Sequence, residues 1–396
     1  MRYMSIDGNG SRKIRIFVFC DALGYEIVSR HHFLEKELPW RYSLGMQFGY
    51  SSTAVPTFLS GKTPAEHKHF SFFYFDREKK SPFRFFRFWQ WLLHPRFFFD
   101  HHRVRHKLSA FLKKYFGFTG YFNLYSVPFD RLPYLDYCEK RDMYAPGGLE
   151  DCENIHDVLL KSGIRFHLSD WRRDDTYNLA EAAKLAASGE YDFLFVYTGA
   201  VDGMLHFHVG DFDYEAKYLA AYREKLLTLL DAARANYDDL GFYVFSDHGM
   251  TPLKGAVDAR GRIEVLPYRF GEDYAACYDS TMCRFWFLKP ECRQPILDAL
   301  KPLPGHWLTA EEKERWGVDF PDFLYGEEIF LLDPGYQAVP SDMSIKPIPG
   351  MHGYDPADKD SAACLLSLHS LSRPPAHLRN VFDLMVREIE TLRGRP

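Results

Sequence analysis

Hydroxyl, carboxylate and imidazole side chains fall together in three short stretches of this 396-residue chain. The first is Gly49-Tyr50-Ser51-Ser52-Thr53-Ala54-Val55-Pro56, where a run of hydroxyls opens an apolar turn that Gly61 closes. A helix starting there presents unpaired backbone N–H groups and the positive end of its dipole, which favours a phosphate and eases formation of an alkoxide. An ordinary Ser helix cap has the same appearance. The second stretch is Ser246-Asp247-His248-Gly249-Met250, at the end of an apolar run. Adjacent Asp and His at a strand terminus can both reach one cation, and the glycine permits a tight turn. The third is Gly350-Met351-His352-Gly353-Tyr354-Asp355, a His set among glycines with an accessible ring. Alone, such a His is more often structural than a ligand.

Taken jointly, the three suit phosphoryl transfer. That reaction needs charge neutralised on the attacking and the leaving oxygens, and two divalent cations about 4 Å apart do this for an in-line displacement. A cation beside a Ser hydroxyl also turns a poor nucleophile into a usable one.

Such groups need a scaffold that brings them together. Residues 14–20 form a β-rich run ending at Asp21. Residues 191–200 repeat the theme and lead to Asp202, and residues 241–246 lead to Asp247 and His248. Between them, 150–161, 176–188 and 214–237 have helical spacing, as does 374–392 near the end. Strands alternating with helices predict an α/β fold, a mostly parallel central sheet with helices on both faces. Ligands in such sheets bind beyond the carboxyl ends of the strands, where these Asp and His residues collect. Residues 68–146 break the pattern. They carry Phe70-Ser71-Phe72-Phe73-Tyr74-Phe75, Phe83-Arg84-Phe85-Phe86 and Phe97-Phe98-Phe99, with Lys and Arg interleaved. The expected division is a catalytic core of 1–67 and 147–396 with an aromatic and basic insertion, 68–146, as a cap or accessory subdomain.

The order of motifs is strand then Asp, hydroxyl on a helix followed by Ser-Gly, Asp-x-x-x-His, Asp-His-Gly-Met, and a late His-Gly-Tyr. In this order the sequence resembles the alkaline-phosphatase superfamily and, within it, the type I phosphodiesterase/nucleotide pyrophosphatase branch. The resemblance covers about 14–67 and 191–366. It implies two metal sites, one holding Asp21, the nucleophile Ser51, Asp247 and His248, the other Asp202, His206 and His352. Zn2+ is the usual ion, with Mn2+ or Mg2+ used by some members, and the N/O donor set suits ions of this class. Three buried carboxylates, Asp21, Asp202 and Asp247, are tolerable in such a site because the cations pair them. The implied activity is metal-dependent hydrolysis of a phosphate ester, a phosphodiester or pyrophosphate, through a covalent phospho-Ser intermediate that water then releases.

The sequence departs from the branch in places. Family spacing puts the nucleophile ten residues before Gly61, at Ser51, with Ser52 and Thr53 as immediate competitors. The branch commonly has Thr there and an Asn three residues on. Ala54 holds that position here, so oxyanion contacts must come from backbone N–H groups or another side chain. His206 has a rival in His208, and Asp211 is a weaker one. The Asp-x-x-x-His spacing places Asp202 and His206 one turn apart on one helical face. Lys62, His67 and the pairs His31-His32 and His101-His102 read as solvated surface. The sulfatase pattern, with Pro and Arg after the nucleophile, is missing.

Bulk properties set the remaining bounds. The net charge of -5 gives no electrostatic case for stable nucleic-acid binding. Seven Cys without a Cys-x-x-Cys pair argue against a disulfide framework or a Cys-rich zinc site. No secretory signal or membrane span is legible, so the expected location is cytoplasmic. The expected partner is a small-molecule phosphate ester; the oligomeric state is left open. The 35 Phe and 25 Tyr are concentrated enough in 68–146 to suggest three roles: a cap over the site, a peripheral membrane contact, or an accessory subdomain with an aromatic core. Two other functions compete: a phosphomonoesterase or phosphotransferase of the same fold, and a catalytically idle relative that binds a lipid or a partner.

Overall fold

The structure, a computed structural model, describes residues 11–89 and 101–393. The first ten residues and the Phe97-Phe98-Phe99 run lie outside the described residues, as does the side chain of His102. The centre is a six-stranded sheet in the order Trp40–Leu44, Ala363–Ser367, Asp239–Phe245, Lys13–Cys20, Phe193–Thr198, Phe166–Leu168. Ala363–Ser367 runs antiparallel to both neighbours; the other pairs are parallel.

Lys13–Cys20 sits centrally because its two faces feed two cores. Ile14, Ile16 and Val18 pack with Leu219, Leu226 and Leu230 of the helix Phe212–Arg234. Phe17 and Phe19 point the other way, toward Phe58, Phe195 and Phe245. The second face is covered by the helices Ser51–Ser60, Ile155–Ser162 and Asn380–Leu392, so helices lie on both sides as expected. Two helices start later than their spacing suggested. Asn154 accepts from Asp157 N while the Asp157 carboxylate accepts from Asn154 N, a capping box that fixes the start at Ile155 rather than 150. Pro374 and Pro375 cannot donate backbone hydrogen bonds, and the last helix begins only at Asn380.

A second, four-stranded antiparallel sheet was not anticipated: Tyr274–Tyr278, Met282–Phe287, Glu328–Leu332, Gly305–Trp307. The described part of 68–146 packs on it. Phe73–Phe75 pairs with Leu135–Tyr137, and Phe73, Phe83 and Phe122 share a core with Cys277 and Trp286. Fully buried Arg284 ties the two parts. It donates to the Asp279 carboxylate (2.7 Å), to Ser71 Oγ (3.1 Å) and to Phe73 O (2.7 Å). Much of the aromatic surplus is therefore core. No helix among the described residues is long and apolar enough to cross a membrane. All seven cysteines are free thiols.

Candidate active site

The helix Ser51–Ser60 starts abruptly because Tyr50 is extended, with Thr53 N and Ala54 N bonding back to its carbonyl at 2.7 and 2.9 Å. The N–H groups of Ser51 and Ser52 precede these bonds and have no acceptor within the helix. Ser51 Oγ lies 3.4 Å from His248 Nε2. Thr53 is fully buried and donates to Phe70 O, which removes it from contention as a nucleophile. Ser52 Oγ is buried without a partner among the described residues. Ala54, where the branch carries Asn, faces the core.

Asp21 and Asp247-His248 end adjacent parallel strands. Their loops converge because Gly24 and Gly249 touch backbone to backbone: a Cβ at Gly24 would sit 2.4 Å from Gly249 Cα. Asp247 Oδ1 accepts from Ala22 N (3.2 Å) and His248 N (3.0 Å), which turns Oδ2 to within 3.2 Å of His248 Nε2. Asp21 Oδ1 is 3.5 Å from the same nitrogen. His248 Nδ1 donates to Gly249 O at 2.9 Å, leaving the Nε2 lone pair for a cation.

The other group stands on the helix Ala200–His208. Its start is fixed by Asp175, whose carboxylate accepts from Gly199 N (2.9 Å) and Ala200 N (3.0 Å). Asp202 Oδ1 lies 3.3 Å from His206 Nε2 and 3.7 Å from His352 Nε2. His206 Nδ1 donates to Gly350 O at 2.9 Å, so its Nε2 is also the free nitrogen. Pairing of Met351 with Thr251 brings His352 over His248, and the rings stack at 3.7 Å. His208 is turned away and stacks on Tyr214 at 3.8 Å; Asp211 caps the next helix by accepting from Tyr214 N.

The donors fit divalent metal ions. Asp202, His206 and His352 offer ligand atoms within 4.8 Å of one another, and so do Asp21, Asp202 and His248. Asp21 Oδ1, Asp202 Oδ1 and Asp247 Oδ2 are buried without a hydrogen bond. Burial, then the charges of Asp247 and Asp202, push the Asp21 carboxyl well up, and burial raises Asp247 as well. Against its own burial, His206, with Nε2 3.3 Å away, and then the charges of His352 and His248 hold Asp202 low. Burial and His248 push the His352 ring well down, leaving it neutral and able to ligate. Three carboxylates this close, Asp21 and Asp247 buried and Asp202 half-buried, ionise together only beside a positive charge.

A cavity of about 410 Å³ opens over Ser51, Asp21, Asp202 and His352. Residues 68–146 form part of its wall through Phe72, Tyr121, Tyr125, Glu139 and Tyr144. The Tyr144 hydroxyl is buried without a partner, and burial, Tyr197 and the charges of Asp21 and Asp247 keep its pKa high, so it is a donor. The turn between the strands Tyr274–Tyr278 and Met282–Phe287 of the second sheet contributes Thr281. Its Oγ1 lies 2.7 Å from Tyr50 Oη and donates to Gly353 O at 2.9 Å, tying the residue before Ser51 to the residue after His352. Tyr144, Asp175 and Thr281 carry no motif; only the third dimension gathers them.

Some residues expected on the surface are not there. His67 is buried, with Nε2 3.0 Å from Thr57 Oγ1, because Thr57 faces inward from the helix Ser51–Ser60. His31 is largely buried against Glu215 at 2.7 Å. Lys62, His32 and His101 are solvated as expected.

Residues 50–264 match the family model of type I phosphodiesterase/nucleotide pyrophosphatase. No curated protein sequence matches the chain. Solved structures with the same fold include human ectonucleotide pyrophosphatase/phosphodiesterase 5, at 13% identity over 96% of this chain and 95% of that chain with a TM-score of 0.67. An inactive murine form of the same protein in complex with AMP follows at 14% identity, the same coverage and 0.65. Phosphonoacetate hydrolase from Sinorhizobium meliloti 1021 with phosphonoformate stands at 12% identity, over 96% of this chain and 98% of that chain, with a TM-score of 0.62.

Proposed function

The chain belongs to the type I phosphodiesterase/nucleotide pyrophosphatase family, a family of phosphoester hydrolases, and from that premise we propose that it cleaves a phosphodiester or pyrophosphate through Ser51. The observation that carries this reading is the approach of Ser51 to His248, inside a ring of buried carboxylate oxygens that have no other partner. Asp21, Asp247 and His248 beside Ser51 would hold one divalent ion, and Asp202, His206 and His352 a second. Bound there, the ions neutralise charge on the phosphoryl oxygens and lower the pKa of the hydroxyl. The imidazole and carboxylate donors suit zinc, with manganese next.

Ser51 Oγ attacks phosphorus while the bond to the leaving oxygen breaks, and that oxygen departs as an alcohol or phosphate. Water then attacks the phospho-Ser, releasing the second product and restoring the hydroxyl. The N–H groups of Ser51 and Ser52, with the unpartnered hydroxyls of Ser52 and Tyr144, receive the non-bridging oxygens in place of the missing Asn. A diester or pyrophosphate linkage is favoured over a monoester by the scarcity of cations. Arg141 is the one Lys or Arg among the described residues lining the cavity, and it pairs with Glu150 at 3.0 Å. Lys62, at the far end of the helix, pairs with Glu66. Seven free thiols favour a reducing compartment such as the cytoplasm.

The test is hydrolysis of bis-p-nitrophenyl phosphate and p-nitrophenyl phosphate, with and without chelator, with zinc or manganese restored. Chelator-sensitive diester cleavage that disappears in Ser51→Ala supports the reading. Cleavage that survives Ser51→Ala but not Ser52→Ala moves the nucleophile by one residue, and cleavage indifferent to chelator refutes the metal mechanism. A peripheral lipid contact is a second proposal. It rests on exposed Phe111 and Tyr115 beside Lys107 and Lys114 on the helix His102–Phe116. Failure to co-sediment with anionic vesicles would remove it.

A further inference from the structure

We infer that an anionic lipid surface is an effector of the candidate active site: the helix His102–Phe116 docks on it and passes the contact to the cavity wall. The activity so regulated is the ester hydrolysis proposed above, on which this role rests; the docking face stands without it.

The helix is one-sided in charge. It carries Arg103, Arg105, Lys107, Lys113 and Lys114 and no acidic side chain, in a chain whose net charge is -5. Arg103, Lys107, Phe111 and Tyr115 follow one another at four-residue intervals, so they lie along one side, with Lys114 beside them. Phe111 is 62% and Tyr115 69% exposed, and their rings stack at 6.0 Å. Arg103, Lys107 and Lys114 are exposed and form no ion pair among the described residues. Aromatic rings at headgroup depth, flanked by unpaired cations, complement a negatively charged lipid surface. A convex helix offers no groove to track a nucleic-acid strand, which sets lipid ahead of nucleic acid.

The inner side of the same helix holds the cavity wall. Arg105 Nη1 donates to Tyr125 O (3.0 Å) and Val127 O (2.8 Å), and Ser109 Oγ accepts from Leu124 N (3.0 Å). Tyr125 needs such support: its φ of 46° lies in the left-handed region, which is uncommon for a bulky side chain. Tyr121 and Tyr125 line the cavity over Ser51, and Tyr125 Oη donates to Tyr121 Oη at 3.0 Å. Lys113, next to Lys114, lies over the Trp171 ring at 5.4 Å, and Trp171 lines the cavity too. A surface that fixes the helix therefore favours the wall conformation the helix holds and shifts the population toward the formed cavity.

The test uses phosphatidylcholine vesicles with and without phosphatidylserine, and bis-p-nitrophenyl phosphate as a soluble substrate. The wild-type protein is expected to co-sediment with the anionic vesicles only and to be released by salt. At about fivefold in partitioning for each basic side chain, Lys107→Ala combined with Lys114→Ala should weaken binding about 25-fold. Saturating vesicles should raise the wild-type kcat/KM by about threefold or more and slow amide exchange at residues 121–127. The double variant should show neither change while keeping the lipid-free rate of the wild type. Absence of binding, or equal binding to neutral vesicles, overturns the docking face. Binding with unchanged exchange at 121–127 overturns the effector role, and so does an unchanged kcat/KM in protein that cleaves the ester. Tighter retention of single-stranded RNA than of vesicles overturns the choice of lipid. Slowed exchange at 121–127 without ester cleavage under any condition leaves the effector contact standing and removes the hydrolase reading.

Discussion

Thr281→Val removes one buried oxygen while keeping the shape of the side chain. Thr281 is fully buried, and its Oγ1 serves two groups: it donates to Gly353 O and accepts from Tyr50 Oη. Tyr50 Oη keeps only the bond from Thr281 N at 3.0 Å. The substitution thus leaves one buried carbonyl without a donor and one phenol without an acceptor. At about 1–3 kcal/mol for each orphaned group, less the relief of not burying the hydroxyl, the expected loss is about 2–4 kcal/mol of stability. Urea unfolding measures it, and Thr281→Ser should recover most of it. The same bonds hold the backbone on either side of Ser51 and His352, so diester kcat should fall roughly 10–100-fold, the scale of an ångström-sized misplacement. A double-mutant cycle with Tyr50→Phe should show coupling of at least about 1 kcal/mol. Thr281→Val within about 0.5 kcal/mol of wild type, and additive with Tyr50→Phe, would refute the claim that this hydroxyl ties the two loops together.

Asp175→Ala should cost about 2 kcal/mol by uncapping Gly199 and Ala200, with Asp175→Asn milder, both read by denaturant midpoint. His206→Ala should raise the metal concentration needed for half-maximal activity by at least about tenfold, measured by titrating zinc into chelator-treated enzyme. Tyr144→Phe should lower diester kcat/KM by about a hundredfold with little change in melting temperature, the loss expected for one oxyanion donor; an unaltered rate excludes that role. His67, pushed well below its usual 6.5 by burial, binds its proton in the unfolded chain first. Its share of stability is therefore present above pH 6.5 and is lost as pH falls below it, by about 1.4 kcal/mol per pH unit. His67→Asn should flatten that part of the acid unfolding curve of metal-free protein.

Legibility followed burial pattern. Strands covered on both faces, such as Lys13–Cys20 and Phe193–Thr198, are unbroken apolar runs and stand out. Trp40–Leu44 does not, because Arg41 and Ser43 interrupt it at a sheet edge. The metal-type side chains were readable because strand ends deliver them in short motifs. Thr281 was not, since its meaning lies in a bond to Tyr50 across 231 residues. Glu139 and Tyr144 were hidden for another reason. They sit in a segment with neither period, where an aromatic core and a cavity wall have the same composition. His67 misled because a polar residue after a short apolar helix resembles a surface residue unless its tertiary neighbour is known.

The first strand is the middle of the sheet, and that has a consequence during synthesis. Lys13–Cys20 pairs only with Phe193–Thr198 and Asp239–Phe245, so its most apolar stretch waits for partners some 180 residues downstream. At ribosomal speed that is roughly 10–40 s in which Ile14, Ile16, Phe17 and Phe19 have no sheet to join. The antiparallel strand Ala363–Ser367, whose Cys364 O accepts from Ser246 N and whose Cys364 N donates to Ser246 Oγ one residue before Asp247, arrives later still. The growing chain therefore carries this apolar strand unpaired until residues 193–245 have been made, and the ring of Asp and His side chains closes only when His352 follows. Ribosome-bound holding factors, rather than the stability of the finished enzyme, should set how much of it a cell accumulates.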